Sequence, residues 1–137
     1  MPRGTRRAAR ERALSLLYEA EAKGTDPVDL LASLPAAPDP YVSDLVAGVA
    51  ARLADIDRLI GEAAIDWTID RMPAVDRNLL RLAVFELLSR PEVPVGVVIS
   101  EAVELAKRYS TDESGRFVNG LLAAIVPTVR PGGTIPV

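Results

Sequence analysis

The sequence predicts an all-α protein of about seven helices. Apolar residues recur at spacings of three and four along most of the 137 residues, which is the periodicity of amphipathic helices. Aromatic residues make up only 4% of the chain, so Leu, Val, Ile and Ala must fill the core, which favours helices over a β-sandwich. Prolines and glycines separate the periodic segments. We therefore expect mostly antiparallel helices, joined by short connections, around one core.

The first predicted helix covers residues 5–23, where small and apolar residues repeat on one side. Asp26 and Pro27 have the pattern of an N-cap followed by proline at the first helical position, so they predict a second, short helix that ends at Leu34. Three prolines within residues 35–40 remove backbone donors and fix φ, and they predict an irregular linker.

A long helix is predicted from about Tyr41 to Ala63. Gly48 within it would allow close approach of a neighbouring helix. After it, we interpret the surroundings of Trp67 as a short helical turn that buries the indole. The long helix is predicted from a single apolar stripe, formed by Leu45, Val49, Leu53, Ile56 and Ile60.

Pro73 is predicted to open a helix that is apolar nearly all round as far as Leu88, and that should be the central helix of the core. Residues 95–109 form the next predicted helix. The Ser-x-x-Glu spacing of residues 110–113 predicts a capping box at the start of the last helix, which should end before Pro127.

The chain is therefore predicted to form one domain over residues 1–127. Its length lies within the usual range for a single core. The segment 128–137 is rich in proline and glycine, and we expect it to be a disordered tail.

The composition excludes many kinds of catalytic site. The chain has no cysteine and no histidine, which removes thiolate nucleophiles, cysteine-held zinc and the commonest general base. Glu101 and Glu104 lack a partner base, so we interpret them as a solvated helix face. No stretch is apolar enough to span a membrane, and no signal peptide is evident. We predict a soluble cytoplasmic protein without metal or cofactor that is not an enzyme.

The charge is distributed unevenly along the chain. The net charge is −3, but residues 1–12 contain five arginines and one glutamate, a net charge of +4. The remaining residues contain 11 basic and 18 acidic side chains, a net charge of −7. A basic arm on an acidic body indicates binding to a polyanion.

The N-terminal arginines are the first candidate binding group. Arg3, Arg7 and Arg10 lie on one face of the predicted helix, and Arg6 stands four residues before Arg10. Guanidinium groups suit phosphate because they remain charged and offer forked donors. The alternative is an ordinary solvated helix terminus.

A second candidate group surrounds Phe117, in the segment Glu113–Gly120. An aromatic ring next to Arg116 at a helix start can stack on a base while the guanidinium meets a phosphate. The alternative is that Phe117 belongs to the core, with Asn119 a tolerated polar residue and Gly120 a packing glycine.

Tyr18 and the pair Asp76–Arg77 are candidates for contact with a protein partner, because tyrosine and arginine are favoured at interface hot spots. The alternative is local. Tyr18 would then cover the edge of the core, and Asp76 would stabilise the N-terminal end of its helix.

Several short segments follow one another in a specific order and spacing. They are RRAARERALSLLY at 6–18, LVAGV at 45–49, VDRNLLRLAVFEL at 75–87, VP at 93–94, ISEAVELAK at 99–107 and FVNGLL at 117–122. Together they resemble the NusB family of transcription antitermination factors, over about residues 3–126. The chain differs from many family members in its short segment 35–40, and in Asp at position 76, where Glu is also found.

The resemblance implies two packed helical subdomains. It also implies binding to the boxA element of nascent ribosomal RNA together with NusE, a protein of the small ribosomal subunit. This complex would join RNA polymerase and suppress termination. The partner surface would contain Tyr18, Asp76 and Arg77. The RNA surface would contain Arg3, Arg6, Arg7, Arg10, Glu113, Ser114, Arg116, Phe117 and Asn119.

Two alternative functions are open from the sequence. The chain could be a protein-only helical scaffold, or a homodimer whose interface covers the arginine-rich helix, without direct contact to RNA. The other alternative, an enzyme, would need a hidden site built from carboxylates.

Overall fold

The computed structural model describes residues 5–65 and 67–132, and these residues contain helices and no strand, which confirms the all-α prediction. A 3-10 turn, Ile69–Arg71, precedes the fifth α-helix. The seven α-helices are α1 (Arg6–Lys23), α2 (Pro27–Ser33), α3 (Pro40–Ala51), α4 (Leu53–Ala63), α5 (Ala74–Ser89), α6 (Val95–Tyr109) and α7 (Asp112–Val129).

Helix α5 is the centre of the fold, as its apolar character predicted, and it contacts α1, α3, α4, α6 and α7. Helices α1, α2 and α3 pack on one another at one side, while α6 and α7 form a closely packed pair with α4 at the other. The two groups share α5, which agrees with two packed helical subdomains. None of the described helices combines the length and apolarity that a membrane crossing requires.

Helix α1 begins and ends where the sequence predicted. The Thr5 side chain accepts a hydrogen bond from the Ala8 backbone N–H at 3.0 Å, which caps the first turn. Gly24 ends the helix in the left-handed conformation with φ of 65°, a backbone geometry that glycine adopts without strain. These caps fix where the arginines of the first turns lie.

The predicted long helix is wrong in one respect, because the chain turns at Arg52 and forms two helices, α3 and α4. Arg52 has φ of −115° and ψ of 21°, outside the helical region. The turn lets α3 pack on α1 while α4 packs on α5 and α7. It also rotates the apolar stripe, so that Leu53, predicted to face the core, is 39% exposed.

Gly48 permits the close approach of α3 to α5 that the sequence indicated. A β-carbon at this position would overlap the ring of Phe85, which lies on the facing surface of α5. The absence of a side chain at position 48 therefore sets how near α3 lies to the central helix.

The prediction of a buried indole at Trp67 is wrong. Trp67 is 44% exposed and lies before the 3-10 turn rather than within a helical turn. Its ring meets the Phe117 ring edge to face, with centroids 5.4 Å apart and planes inclined at 67°. The indole therefore covers the start of α7 from outside instead of filling the core.

Both ends of α7 differ from the prediction. Its N-cap is Thr111, not Ser110, because the Thr111 hydroxyl accepts the Ser114 backbone N–H at 2.9 Å. Its C-terminal end is Val129, so the end expected before Pro127 is wrong, and residues 128–129 of the predicted tail are helical.

The helix continues past Pro127 because Arg130 anchors its end. The Arg130 guanidinium donates hydrogen bonds to four backbone carbonyls at the end of α5 and in the following loop, at 2.5 to 3.1 Å. The free energy of these hydrogen bonds offsets the loss of the helical hydrogen bond that Pro127, without an N–H group, cannot donate. Residues 133–137 of the predicted tail lie outside the described residues.

Candidate nucleic-acid interface

The first turn of α1 presents two exposed arginines, Arg6 and Arg7. The Arg7 side chain is 59% exposed, and its Nε donates to Oε2 of Glu101 on α6 at 3.0 Å. This hydrogen bond and the Glu101 charge raise the pKa of Arg7 above its usual value. Arg3 lies outside the described residues.

The Arg6 guanidinium lies over the ring of Tyr41, with its central carbon 3.6 Å from the ring centroid. This is a short cation–π distance. Tyr41 stands in the first turn of α3 and is only 7% exposed. An exposed cation at the start of α1 thus rests on a side chain that is fixed in the core.

Arg10 does not lie on this exposed surface, although the sequence placed it there. It is 5% exposed, and its guanidinium forks onto Glu86 of α5, with Nε–Oε1 at 2.7 Å and Nη2–Oε2 at 2.9 Å. Burial lowers the pKa of Arg10, but the hydrogen bonds and charge of Glu86 outweigh it, so the net direction is upward. The helical period does not separate Arg10 from Arg6, which is four residues earlier; the tertiary contact with Glu86 draws the Arg10 side chain inward.

Tyr41 belongs to the same buried cluster. Its hydroxyl donates to Oε2 of Glu86 at 2.8 Å. Burial and the Glu86 carboxylate together raise the pKa of Tyr41 to about 12. Glu86 is 2% exposed and joins α1, α3 and α5 through these two partners.

Two long side chains in the last turn of α6 reach across to α1. Glu11 on α1 accepts hydrogen bonds from Nη1 of Arg108 at 3.2 Å and from the Tyr109 hydroxyl. On the other side, a β-carbon at Gly115 would come within 2.9 Å of Cγ of Lys107, so the lysine stem crosses the start of α7. Exposed basic residues of α6 therefore lie between the two predicted RNA-binding groups.

Lys107 and Arg108 were missed by the sequence reasoning. Cations are common in the last turn of any helix, because they interact favourably with its C-terminal carbonyl groups. The proximity of Arg108 to α1 and of Lys107 to α7 depends on tertiary contacts that no local pattern reveals.

The second predicted RNA-binding group, at the start of α7, contains both exposed and buried residues. Glu113, Arg116 and Asn119 are exposed, whereas Ser114 is 7% exposed and so is not available to a ligand as predicted. Phe117 is partly buried and packs against the core, and its ring edge meets Trp67. A mostly apolar groove of about 730 Å³ opens beside both rings.

Asp76 is buried, at 1% exposed, and does not lie on the surface where the sequence predicted it. Its Oδ2 accepts a hydrogen bond from the Ser114 hydroxyl at 2.8 Å, which joins α5 to α7. Its Oδ1 is buried with no hydrogen-bond partner among the described residues. Asp76 therefore has a structural role in linking the two helices, and its predicted contact with a partner has no exposed carboxylate to support it.

The Arg77 side chain also makes its contacts within the protein. Its guanidinium donates to the carbonyls of Ile69 at 3.1 Å and Met72 at 2.7 Å, and it pairs with Glu21 of α1. This arginine fastens the 3-10 turn to α1 and α5, and its side chain is 13% exposed. The predicted contact with a partner therefore lacks an accessible guanidinium.

Tyr18 lies at the surface, 46% exposed, as a contact residue should. It borders an apolar groove of about 630 Å³ that follows α1 from Ala8 and that Val75 and the 47% exposed Tyr109 also line. One helix thus carries the exposed arginines in its first turn and an apolar, tyrosine-bordered groove further along.

Within the described residues, no three acidic side chains form a group that could hold a metal ion.

The chain is similar to proteins of one family in both sequence and fold. It matches the family model described as the NusB family over residues 7–127. The transcription antitermination protein NusB of Acidothermus cellulolyticus is 52% identical over 129 residues, which are 91% of this chain and 88% of that protein.

Two solved structures show the same likeness. T. maritima NusB is 34% identical with a TM-score of 0.86, covering 95% of this chain and 96% of that one. The crystal structure of the antitermination factors NusB and NusE in complex with dsRNA contains a chain that is 32% identical, with a TM-score of 0.76, covering 90% of this chain and 96% of that one.

Proposed function

The chain belongs to the NusB family of transcription antitermination proteins, and we propose that it performs this function by binding boxA RNA of nascent ribosomal transcripts together with NusE. The chain in the solved complex of NusB and NusE with dsRNA matches it over 90% of its length. The bound assembly would then join RNA polymerase and suppress termination.

The observation that carries the RNA-binding proposal is the exposure of Arg6 and Arg7 at the start of α1. Their charge stands out because the chain as a whole is acidic, with a net charge of −3. Guanidinium groups at this position can pair with phosphates in the sequence-independent, salt-sensitive manner that dominates nucleic-acid affinity. Lys107 and Arg108 extend the basic surface toward α7.

Base contacts would come from the start of α7. Phe117 and Trp67 present ring edges and faces beside a groove, and Arg116 is exposed next to them. Stacking on aromatic rings tolerates any base, so sequence preference would arise from polar contacts of neighbours such as Asn119 and Glu113.

The partner surface would be the groove bordered by Tyr18. Its apolar lining and two half-exposed tyrosines resemble the composition of interface hot spots. Because RNA and NusE would then occupy neighbouring parts of α1, each could increase the affinity for the other.

We further propose that the protein acts in the cytoplasm and without a catalytic step, since its role is to bind and assemble.

A binding titration tests this proposal. Labelled boxA RNA is titrated with the protein alone and with NusE present, and a scrambled RNA of equal length serves as control. We expect specific binding that tightens when NusE is added. Absence of binding to boxA RNA under both conditions would contradict the proposal.

Two matched variants separate the surfaces. Tyr18→Ala should reduce the gain from NusE while leaving RNA binding by the chain alone unchanged. Val97→Ala removes an equally exposed apolar side chain, 41% exposed on α6 and outside the groove, and should change neither. A homodimer that RNA never dissociates, detected by sedimentation, would instead favour the protein-only alternative.

A further inference from the structure

We propose that Tyr41 is a positioning residue for RNA binding, which holds the Arg6 guanidinium in the orientation that meets a phosphate. The inference rests on the proposed RNA-binding function and assigns a role to the buried cluster of Arg10, Glu86 and Tyr41. In this account Arg10 supports the RNA-binding surface from inside and makes no contact with RNA.

The short distance between Arg6 and Tyr41 favours a face-to-face contact that leaves the guanidinium edge available, because an N–H edge aimed at the ring would hold the guanidinium carbon farther away. The guanidinium carbon lies 3.6 Å from the ring centroid. The five N–H donors of an arginine point outward in the plane of the group. Stacking therefore fixes the plane without occupying the donors, and no acceptor among the described residues forms a hydrogen bond with Arg6.

Arg7 and Arg10 are held in a different way. Arg7 donates its Nε to Glu101, and Arg10 donates both Nε and Nη2 to Glu86. A phosphate would have to compete with a carboxylate for these donors. Arg6 is the arginine of the three whose observed contact uses none of its N–H donors, whereas Arg7 commits Nε and Arg10 commits Nε and Nη2.

The ring that supports Arg6 is itself fixed from three directions. Asp39 caps α3 by accepting the Tyr41 backbone N–H at 2.9 Å. The Tyr41 side chain is buried, and its hydroxyl donates to Glu86 at 2.8 Å. Glu86 is held in turn by the two hydrogen bonds from Arg10.

This arrangement reduces the entropy that Arg6 loses when RNA binds. A long, exposed arginine has many rotamers, and fixing them on binding weakens affinity. A guanidinium that is already stacked on an immobile ring loses fewer of them. The predicted consequence is that the ring of Tyr41 contributes to RNA affinity without touching RNA.

The test is a double-mutant cycle on RNA binding, with boxA RNA as the probe. Tyr41→Leu removes the aromatic face, and Arg6→Ala removes the cation. We expect each single variant to weaken binding, Tyr41→Leu by about two- to fivefold, which corresponds to an exposed cation–π contact. Tyr41→Leu should cause no further loss when Arg6 is already alanine.

This cycle distinguishes positioning from a merely structural effect. A general loss of folding would weaken RNA binding equally in both backgrounds, and that result would overturn the inference, as would an unchanged affinity of Tyr41→Leu or of Arg6→Ala. If the wild-type chain binds no RNA at all, the proposed function itself fails, which is a separate outcome.

A second comparison keeps the fold intact if Tyr41→Leu is unstable. Phenylalanine and pentafluorophenylalanine at position 41 both lack the hydroxyl and have nearly the same shape, but fluorination removes the negative ring face. We expect the fluorinated variant to bind RNA more weakly than the phenylalanine variant, and only when Arg6 is present. Equal affinity of the two variants would overturn the inference.

Discussion

The guanidinium of Arg10 and the carboxylate of Glu86 form a two-pronged ion pair inside the protein, with N–O distances of 2.7 and 2.9 Å. The pair joins the arginine-rich helix to the central helix of the fold. Because both groups are almost fully buried, the attraction between them must offset the free-energy cost of removing each charge from water.

Removing one member of this pair should destabilise the protein strongly. Arg10→Met keeps the aliphatic stem but leaves the Glu86 charge buried with Tyr41 alone, so we expect a loss of about 3–5 kcal/mol in the free energy of unfolding. Urea denaturation measures it. Arg7→Met is the matched control, since Arg7 is mostly exposed and its unfolding midpoint should hardly move. Similar effects of both substitutions would contradict the buried role of Arg10.

The contact between Gly48 and Phe85 predicts an unfavourable alanine substitution. Alanine normally favours a helix over glycine by about 1 kcal/mol. At position 48 the added methyl group would overlap the Phe85 ring, so we expect Gly48→Ala to destabilise the fold by about 1–3 kcal/mol instead. At Gly61 in α4 the nearest atom is 3.9 Å away, and Gly61→Ala should be neutral or stabilising. Thermal unfolding should show a lower midpoint for Gly48→Ala and an unchanged or higher midpoint for Gly61→Ala. A Gly48→Ala variant as stable as Gly61→Ala would refute this account of helix spacing.

The raised pKa of Tyr41 predicts a loss of stability in alkali. The pKa is about 12 in the folded protein, against about 10 in an unfolded chain. Between these values the unfolded state releases the proton and the folded state keeps it, so stability is retained below pH 10 and falls as the pH rises toward 12. The contribution of Tyr41 to this loss should reach roughly 2 kcal/mol by about pH 11.5.

Denaturation between pH 9 and 11.5 measures this slope for the wild type and for Tyr41→Phe. The phenylalanine variant cannot ionise at this position, so its stability should fall less steeply. Parallel slopes in the two proteins would show that Tyr41 titrates as an ordinary exposed tyrosine.

The Ser114 hydroxyl donates a hydrogen bond to one carboxylate oxygen of Asp76, and removing this hydroxyl should lower the stability of the fold. Ser114→Ala would leave Asp76 buried without a hydrogen bond from the described residues, and we expect about 1–3 kcal/mol of destabilisation. Ser100→Ala, on the exposed face of α6, is the control and should have little effect. If Asp76→Asn instead weakened NusE binding with no change in stability, Asp76 would be a partner contact after all.

Much of the fold could be predicted from the sequence because its signals are local. The bounds of α1, the N-cap at Asp26 and the helical periodicity depend on neighbouring residues, and the structure places them where the pattern indicated. The break at Arg52 was missed because α3 and α4 carry a continuous stripe, and the turn is set by packing against different helices. The last turn of α7 was missed because Arg130 is anchored by carbonyls some 40 residues earlier.

The candidate site was predictable only in part, for the same reason. The helical spacing placed Arg10 with the exposed arginines, but the partner that draws it inward, Glu86, is 76 residues away. Asp76 likewise is buried, and its hydrogen-bond partner, Ser114, lies on another helix. The sequence could identify Arg6, Arg7 and Tyr18 as candidates. It could not show that Tyr41 supports Arg6 or that Lys107 lies beside α7.

The salt dependence of boxA RNA affinity tests the central claim most directly. The logarithm of the association constant is plotted against the logarithm of salt concentration for the wild type, for Arg6→Ala with Arg7→Ala, and for Arg58→Ala, which removes a 61% exposed arginine of α4. Each lost phosphate contact should reduce the slope by about 0.7 for single-stranded RNA. We expect the double variant to bind more weakly with a slope lower by about 1.4, and Arg58→Ala to match the wild type. An unchanged affinity and slope in the double variant would contradict RNA binding through the start of α1.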